Sequence, residues 1–469
     1  MPDPATPLTH ARIAKFYIPL ALSWIFMAIE SPVCVGVLSR LPAAELNTAA
    51  FNILMSLALF IESPVIDLLS TSTTLSKNYQ DFAVLSRFVW ILMLGVAVAH
   101  ALIVLTPLYY VVTLHVMGVP NEVAHTARLG LALMIPWAPS IAWRRYRQGL
   151  LIRYHRTRMV GFGTLVRVST IITSSTILYF ATKMPGIMIV ATALICSVFA
   201  EALFAQWASR DVVRELAVSP APFETEAPAT DPLDLAQAPS PVGDLERLPK
   251  GGNGDLTMRK LTAFHWPLTL TTMVVLIGGP VVSAFLSKAP DPVLALASWQ
   301  VAFSLLWLFR TVTFALPEVV ITLYKDEASA RKLRDFCMRV GLVASGIAMT
   351  AALLKLDVWF FTNVYHSTPR TAEMAHLAFL AASPLGLINA MQSYVRGMLT
   401  AHHLNVARFT AVAIGMATMV ASLALGLLTP WRGVLSGAVA MNVALVAELA
   451  VLVWSWRRGK RLQSSLVPV

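Results

Sequence analysis

Acidic and basic residues inside long apolar runs are the part of this sequence most able to do chemistry. A charge in a low-dielectric interior is costly, so such residues mark functional positions by default. A carboxylate there can exchange a proton or bind a cation, whereas an arginine can hold a phosphate or a carboxylate. The residues that meet this description are Glu30, Glu62, Asp67, Arg167, Glu201, Arg310, Glu318, Lys355, Asp357 and Glu448.

Glu62 and Arg310 both lie deep within their runs. Each is about fifteen residues, roughly 22 Å at helical rise, from a predicted cytoplasmic end near Lys77 or Lys325. Their positions differ by 248, the spacing of an internal repeat described below. One interpretation is a structural ion pair that closes two halves of the protein together. The other is that Arg310 holds an anionic substrate while Glu62, with Asp67, exchanges a coupling proton or ion.

Arg167 and Glu30 each allow two interpretations as well. Arg167 either binds a substrate phosphate or carboxylate or pairs with Glu201 of the following run. Glu30 precedes Ser31-Pro32, where a kink frees backbone carbonyls. Its carboxylate therefore either helps to bind Na⁺ or H⁺ or is a buried, hydrogen-bonded group.

A basic cluster from Arg144 to Arg158 follows the fourth apolar run. Most of this charge is interpreted as solvated cytoplasmic charge. Arg144 and Arg147, at the start of the apparent cavity-facing turn, could still guide anions from the cytoplasm. Lys355 and Asp357 are interpreted as bystanders, because they lie near an external end from which long side chains reach water.

The composition excludes a soluble globule. Of the 469 residues 57% are hydrophobic and only 13% are charged, with a mean hydropathy of +0.68. Soluble domains carry about 25% charged residues. Three cysteines in apolar stretches provide neither a disulfide framework nor a CxxC metal site. Motifs of soluble enzymes and of ATP binding do not occur in a workable context, so we expect no enzyme activity and no bound cofactor.

Twelve apolar runs are long enough to cross a bilayer as helices. We therefore predict an all-α polytopic membrane protein with twelve transmembrane helices in two pseudo-symmetric six-helix bundles. The predicted spans are 13–38, 46–73, 83–116, 125–143, 159–181, 186–208, 258–287, 293–324, 336–362, 371–398, 405–428 and 432–456.

The distribution of the 36 lysines and arginines sets the orientation. Most lie in the two tails and in the loops after even-numbered spans, while each loop after an odd-numbered span carries one. This bias predicts cytoplasmic N- and C-termini. We expect the protein in the inner (plasma) membrane of a bacterium. The net charge of +11 then reflects topology and attraction to anionic membrane lipids rather than nucleic-acid binding.

A change of composition divides the chain in two. Between Arg214 and Leu256, prolines mix with acidic and small residues and lead into Gly251-Gly252-Asn253-Gly254. Such a segment cannot bury enough apolar area to offset its chain entropy. We predict a six-helix lobe over residues 1–214, a disordered cytoplasmic linker over 215–256 and a second six-helix lobe over 257–469.

The two halves repeat at a constant offset of 248 positions. Identities at this offset include Phe16 with Phe264, Pro19 with Pro267, Pro32 with Pro280, Pro136 with Pro384, Tyr146 with Tyr394 and Gly149 with Gly397. Because six spans return the chain to the same side, the copies are parallel. Transporters use this construction, with a midplane site between repeats and alternating access by rocking. Transport would then run on an ion gradient of H⁺ or Na⁺, or on the gradient of the substrate itself.

Two sequence patches carry a family resemblance. The second lobe opens with Met258-Arg259-Lys260, Phe264-His265-Trp266-Pro267-Leu268, Pro280-Val281-Val282 and Ser287-Lys288. At the exit of the fourth span, Ala142-Trp143 is followed by Gly149-Leu150-Leu151 and a basic stretch. In order and spacing these resemble the progressive ankylosis (ANK) family. That family belongs to the multidrug/oligosaccharidyl-lipid/polysaccharide (MOP) exporter superfamily, which includes the multidrug and toxic-compound extrusion (MATE) transporters.

The resemblance implies export of small multivalent anions such as pyrophosphate, nucleotides or citrate. It also implies a V-shaped pair of lobes with spans 1, 2, 7 and 8 flanking the cleft. The family carries an arginine just before the proline of span 7, whereas this chain has Gly278-Gly279-Pro280. If that arginine helps to hold anions, the substrate differs here.

We therefore expect a monomeric secondary-active exporter of an anionic metabolite. The expected substrate-binding residues are Arg310, Arg167, Arg144 and Arg147, and the expected ion-coupling residues are Glu62, Asp67, Glu30 and Glu201. The alternatives are a proton- or sodium-coupled drug or organic-cation antiporter of the same fold and a flippase for lipid-linked molecules.

Overall fold

A computed structural model of the chain describes residues 8–154, 156–218, 256–402, 405–429 and 433–465. We call the described parts of spans 1–6 the N-lobe and those of spans 7–12 the C-lobe. The predicted linker lies almost entirely in 219–255, outside the described residues.

The N-lobe consists of helices, several of them broken into two pieces. They are span 1 (His10–Ala28 and Glu30–Leu38), span 2 (Ala44–Ile66 and Leu68–Leu75), span 3 (Tyr79–Leu105, then Leu108–Tyr110 and the π-helical Val111–Val116), span 4 (Asn121–Leu133 and Trp137–Arg153), span 5 (Thr157–Ala181) and span 6 (Gly186–Ala208 and Arg210–Val218).

The C-lobe repeats this order. Its helices are span 7 (Met258–Leu276 and Gly278–Leu286), span 8 (Pro292–Thr311, the 3₁₀ turn Val312–Ala315 and Leu316–Leu323), span 9 (Glu327–Leu353, then Leu356–Trp359 and the π-helical Phe360–Val364), span 10 (Pro369–Ala382 and Leu385–Ala401), span 11 (Asn405–Gly426) and span 12 (Gly433–Ser465).

The predicted all-helical fold with twelve spans is confirmed. Within the described residues, eleven spans are long and apolar enough to cross a membrane. The other one is span 4, which carries Arg144, Arg145 and Arg147 in its second piece. The chain is therefore an integral membrane protein in which one helix owes its place to packing inside the fold rather than to hydropathy.

The repeat extends to the capping and breaking of helices. Span 1 begins after Thr9 and span 7 after Thr257, and each threonine hydroxyl accepts a hydrogen bond from an amide three residues on. Both spans are then interrupted at equivalent residues, Ile29 and Ile277. An N-cap of this type satisfies one of the amides that a helix start leaves open. The offset of 248 thus governs local structure as well as sequence.

The observed end of span 4 differs from the predicted one. Its second piece runs to Arg153, ten residues beyond the predicted end at 143. Arg144 and Arg147 are therefore buried helical residues rather than the first residues of a solvated loop. Such arginines lower the mean hydropathy of a segment, although these side chains have partners inside the protein.

Spans 1, 2, 7 and 8 form the contact between the lobes, which we call the seam. Spans 2 and 8 pack along each other, span 7 packs on span 2, and the first piece of span 1 packs on the second half of span 8. Near the predicted external end, Arg40 donates to the carbonyl of Val364 at 2.5 Å and Thr371 donates to Glu45 at 2.9 Å. Among the described residues, the seam is thus joined by single hydrogen bonds rather than by ion pairs.

Gly149 and Gly397 lie at equivalent close contacts between helices, one in each lobe. A Cβ at Gly149 would lie 2.6 Å from the carbonyl oxygen of Leu69, and one at Gly397 would lie 2.7 Å from the Cβ of Val320. These distances are shorter than nonbonded carbon and oxygen atoms tolerate. Spans 4 and 10 can therefore approach the second pieces of spans 2 and 8 only because both positions are glycine.

We expect Gly149→Ala and Gly397→Ala each to lower the apparent melting temperature, since overpacking costs about 1–3 kcal/mol. Gly95→Ala and Gly346→Ala are matched controls, because a Cβ at either position meets nothing within 4 Å. The controls should melt at or above the wild-type temperature, since alanine favours helix by about 1 kcal/mol. Thermal unfolding of the four variants in one detergent tests this, and four equal melting temperatures would contradict it.

Candidate functional site

Glu201 of span 6 is the centre of a buried charge network in the N-lobe. Arg144 donates to its Oε2 at 2.8 Å, Gln148 donates to its Oε1 at 2.9 Å, and Arg167 reaches Oε2 at 3.4 Å. Glu201 is 1% exposed, so every one of these contacts lies out of reach of water. Charge-assisted hydrogen bonds of this kind are about twice as strong as neutral ones. The network ties spans 4, 5 and 6 together.

Glu30 joins this network through Arg167. The Arg167 guanidinium donates two hydrogen bonds to the Glu30 carboxylate, one from Nε and one from Nη2, the latter at 2.6 Å. The break at Ile29 places Glu30 at the start of a helix piece, with its side chain turned to span 5. Of the two interpretations for Arg167, the pairing with Glu201 is present. The stronger partner is Glu30, a pairing that the sequence pattern does not predict.

Glu62 lies beside this network. The indole N–H of Trp137 donates to its carboxylate, and Arg145 is the arginine that acts on it most strongly. Asp67, where span 2 breaks, accepts a 2.8 Å hydrogen bond from the Thr272 hydroxyl of span 7 across the seam. Among the residues that the structure describes, both carboxylates are thus held by neutral donors rather than by an ion pair.

Arg310 lies in the C-lobe and does not face Glu62. The charged side chains near it are Arg396 and Glu448 of its own lobe. Within the described residues Arg310 forms no ion pair, and its Nε is buried without a hydrogen-bond partner. The interpretation that Glu62 and Arg310 form a structural ion pair is therefore wrong. The repeat places them at equivalent positions of different lobes.

The C-lobe has its own version of the Glu201 contact. Arg396 of span 10 is ion-paired with Glu448 of span 12, as Arg144 of span 4 is with Glu201 of span 6. At the offset of 248, Arg396 corresponds to Gln148 and Gln392 corresponds to Arg144. The arginine and the glutamine are therefore exchanged between two positions one helical turn apart. The sequence alone shows this difference, since both substitutions appear when span 4 is aligned with span 10 at the offset of 248.

Two further charged residues complete the C-lobe group. Arg408 of span 11 lies near Arg396, Glu318 and Glu448, and it donates to the Thr400 hydroxyl at 3.0 Å. Glu318 of span 8 has one carboxylate oxygen that is buried without a partner in the described part of the chain.

The two lobes differ in their balance of buried charge when every carboxylate is counted as ionised. The N-lobe group contains three arginines and four carboxylates: Arg144, Arg145, Arg167, Glu30, Glu62, Asp67 and Glu201. The C-lobe group contains three arginines and two carboxylates: Arg310, Arg396, Arg408, Glu318 and Glu448. A cation would therefore complete the first group and an anion the second, because unpaired buried charge is costly.

Arg147 stands apart from both groups. Its guanidinium lies over the rings of Trp143, Tyr146 and Phe82, at 4.6, 5.0 and 5.6 Å from their centroids. Contacts of this kind stabilise a buried arginine without a counter-ion. The structure brings the other seven predicted site residues into the two charge groups, and places Arg147 in an aromatic cage.

A groove on the outer face of the N-lobe lies away from these charges. It has a volume of about 700 Å³ and is formed by spans 1, 5 and 6, with a mainly apolar lining that includes Phe26, Phe162, Phe204 and Trp207. The described residues that line it carry no charge. This groove therefore offers nothing to hold an ion.

No protein-family model and no curated protein sequence matches this chain. Solved structures do match, over nearly its whole length. An inward-facing multidrug resistance MATE family transporter of the MOP superfamily is similar with a TM-score of 0.68 and 12% identity, over 96% of this chain and 99% of that one.

Two further solved structures are similar over 96% of this chain. An outward-facing multidrug resistance MATE family transporter has a TM-score of 0.57 and 14% identity over 96% of its length. A eukaryotic MATE transporter has a TM-score of 0.62 and 13% identity over 98% of its length. The chain therefore has the twelve-helix MATE fold.

Proposed function

We propose that this protein is a secondary-active exporter of small multivalent anions that works by alternating access between its lobes. The observation that carries the proposal is the unequal charge of the two buried groups. In the C-lobe, Arg310 has no counter-ion of its own among the described residues, while Arg396 is paired with Glu448. A phosphate or carboxylate group of a substrate would supply the missing negative charge.

The N-lobe group supports a role in ion coupling. It carries one more carboxylate than arginine, and two of its carboxylates, Glu62 and Asp67, accept side-chain hydrogen bonds from neutral donors in the described part of the chain. A proton or Na⁺ bound there would balance the group. Arg144 and Arg167 are already engaged with Glu201 and Glu30, so we assign them to holding these carboxylates rather than to the substrate.

The construction of the seam supports alternating access. Solved proteins of this fold include inward-facing and outward-facing forms. In the described part of this chain the lobes are joined by hydrogen bonds without an ion pair, such as the bond from Asn52 to Ser283 at 3.1 Å. A neutral bond of this kind costs little to break, because it contributes about 1 kcal/mol net. The lobes can therefore separate without exposing a broken ion pair.

The choice of anions also rests on the resemblance of two sequence patches to the ANK family. That family's arginine before the span 7 proline corresponds to Gly279, where a Cβ would lie 3.4 Å from the Cβ of Ser56 across the seam. The position is thus used for close packing here. We infer that Arg310, Arg396 and Arg408 supply the positive charge instead, from inside the C-lobe.

A proton- or sodium-coupled antiporter of organic cations is the second candidate. It is favoured by the aromatic rings near Arg310, since Trp307 and Phe314 flank its guanidinium and Trp24 of span 1 meets Phe314 edge-on at 5.5 Å. Such rings bind cationic drugs well. The surplus positive charge of the same region opposes it.

We further propose a monomer in the inner membrane of a bacterium, with both termini in the cytoplasm and anionic lipids around its basic loops. The positive-inside distribution of lysine and arginine supports the orientation and the contact with anionic lipids.

Arg310→Ala should reduce anion uptake into proteoliposomes at least about tenfold, the effect of losing roughly 1.4 kcal/mol of substrate binding. Labelled pyrophosphate, ATP and citrate are supplied with and without a pH or Na⁺ gradient. Arg339→Ala is the matched control, because Arg339 is an exposed arginine of span 9 in the same lobe. It should transport like the wild type.

Two results would contradict the anion assignment. Uptake of a lipophilic cation with no uptake of any of the three anions would show that the second candidate is correct. Equal anion uptake by Arg310→Ala and Arg339→Ala would remove Arg310 from the substrate site.

Glu62→Gln should uncouple transport from the ion gradient. Glutamine keeps an oxygen that accepts from Trp137, so the fold is preserved while the ionisable group is lost. Gradient-driven uptake should fall to the level seen without a gradient, whereas exchange of labelled for unlabelled anion should persist. Asp357→Asn is the control, because Asp357 is bonded to His376 at 2.8 Å, outside both charge groups.

Retained gradient dependence in Glu62→Gln, measured with the same liposomes and the same anion, would exclude Glu62 as the coupling residue. Loss of gradient dependence in Asp357→Asn as well would show that the effect is not specific to the N-lobe group.

A further inference from the structure

The groove on the outer face of the N-lobe has an aromatic lining that the repeat does not require. Its four aromatic residues are Phe26 of span 1, Phe162 of span 5, and Phe204 and Trp207 of span 6. At the offset of 248 the equivalent residues of the C-lobe are Val274, Thr410, Leu452 and Ser455. The same fold is thus built without aromatic rings in the other copy, so packing of the fold alone does not account for them.

The groove extends through the depth of one membrane leaflet. Along span 5 its lining runs from Met159, two residues after the helix begins, to Ile172. These two residues are roughly 20 Å apart at helical rise. Half of the hydrocarbon core of a bilayer is about 15 Å thick. The groove therefore reaches from the membrane surface to the bilayer midplane, on the side where the termini are proposed to lie.

The hollow has room for a ligand between its aromatic side chains. Phe162 and Trp207 are 54% and 57% exposed, while the smaller Val166 and Ser169 follow Phe162 on the same face of span 5. The groove volume of about 700 Å³ lies within the range of about 300–1,000 Å³ that is usual for ligand sites. An unfilled hollow costs its walls their dispersion contacts. In a membrane, the molecule available to fill it is an acyl chain.

Two exposed arginines extend the groove at the membrane surface. Arg158 is the residue before Met159 on span 5, and Arg210 lies three residues after Trp207 on span 6. The ion pair of Arg156 with Asp211, at 3.7 Å, joins the starts of the two helices that carry these arginines. Arg158 and Arg210 are therefore at the same end of the groove.

This end of the groove has a surplus of positive charge. Its two carboxylates already have partners, since Glu215 lies 2.7 Å from Arg156, and Asp211 lies 3.7 Å from both Arg156 and Arg214. The described charged residues here are four arginines and two carboxylates: Arg156, Arg158, Arg210, Arg214, Asp211 and Glu215. A negatively charged lipid headgroup would offset this surplus. Arg158 corresponds to Val406 in the C-lobe, so the charge differs between the lobes as the aromatic lining does.

Charge rather than apolar contact decides which lipid such a site prefers. Lipid tails are as apolar as the groove, so burial of a chain does not distinguish one lipid from another. An arginine near the membrane surface attracts an anionic lipid by about fivefold. Two arginines at the mouth of one groove therefore give a preference of at least about tenfold over a zwitterionic lipid.

We propose that this groove binds an anionic phospholipid, with an acyl chain between spans 1, 5 and 6 and the phosphate at Arg158 and Arg210. The chain meets Phe26 three residues before the break at Ile29, and it lies along the span that carries Arg167. The lipid thus braces the outside of the helices that join Glu30 to Arg167. This specific site goes beyond general attraction of anionic lipids to basic loops, and it does not depend on the transport of anions.

Photochemical cross-linking tests the site, with the repeat as an internal reference. The protein is placed in phosphatidylcholine vesicles with a trace of probe lipid that carries a diazirine near the end of one chain. The probe has either a phosphatidylglycerol or a phosphatidylcholine headgroup. Mass spectrometry gives the ratio of labelling in residues 159–172 to labelling in the equivalent residues 407–420. This ratio should be at least about tenfold higher for the anionic probe.

Two pairs of variants separate the headgroup site from the groove. Arg158→Gln with Arg210→Gln should remove the preference for the anionic probe, whereas Arg331→Gln with Arg334→Gln, exposed arginines at the start of span 9, should retain it. Ser169→Trp fills the groove and should lower labelling of residues 159–172 by both probes. Ile347→Trp, at an exposed position of span 9, is its matched control and should label like the wild type.

Equal ratios for the two probes in the wild type would overturn the proposal. So would a preference that survives in Arg158→Gln with Arg210→Gln, or labelling that Ser169→Trp leaves unchanged. Weak labelling by both probes that rises as the protein is diluted in the vesicles would show that a second copy covers the groove instead. Because no transport is measured, a failure of anion uptake would count against the proposed function and leave this result standing.

Discussion

Compensation of buried charge is the constraint on which the rest of this structure depends. Lipid supplies neither counter-ions nor hydrogen bonds, so each charge within the membrane must find its partner inside the protein. The N-lobe meets this demand around Glu201, where Arg144, Arg167 and Gln148 converge and Arg167 extends the network to Glu30. The same contact in the C-lobe is reduced to Arg396 and Glu448. That difference between two otherwise matching lobes is the basis for assigning ions of opposite sign to them.

The two copies of the repeat share equivalent positions, and some of these positions carry residues of different chemistry. Three features occur at equivalent positions of both lobes. They are helix breaks at Ile29 and Ile277, close contacts at Gly149 and Gly397, and hydrogen bonds across the seam from Tyr17 to the Val312 carbonyl and from His265 to the Pro64 carbonyl. At other equivalent positions the residues diverge, as for Glu62 with Arg310 and Tyr17 with His265. A duplicated scaffold thus keeps the packing constant while the divergent positions become functionally distinct.

Much of this fold is predictable from the sequence, whereas only some partners of the charged residues are, such as Glu201 for Arg167. Apolar runs and the offset of 248 give the twelve spans and the equivalence of Glu62 and Arg310. The pairing of Glu30 with Arg167 joins residues 137 positions apart and depends on how spans 1 and 5 pack. Span 4 is longer than hydropathy predicts, because hydropathy treats Arg144 as a residue that needs water, although Glu201 binds it inside the lobe.

Equilibrium binding to the purified protein tests most directly whether the C-lobe charge group selects anions. The measurement is retention of labelled pyrophosphate by the protein in detergent, at low ionic strength, with unlabelled competitors. The account predicts saturable binding that citrate or ATP displaces, that an organic cation does not displace, and that falls as salt screens the arginines. Binding of the organic cation in place of pyrophosphate would contradict it.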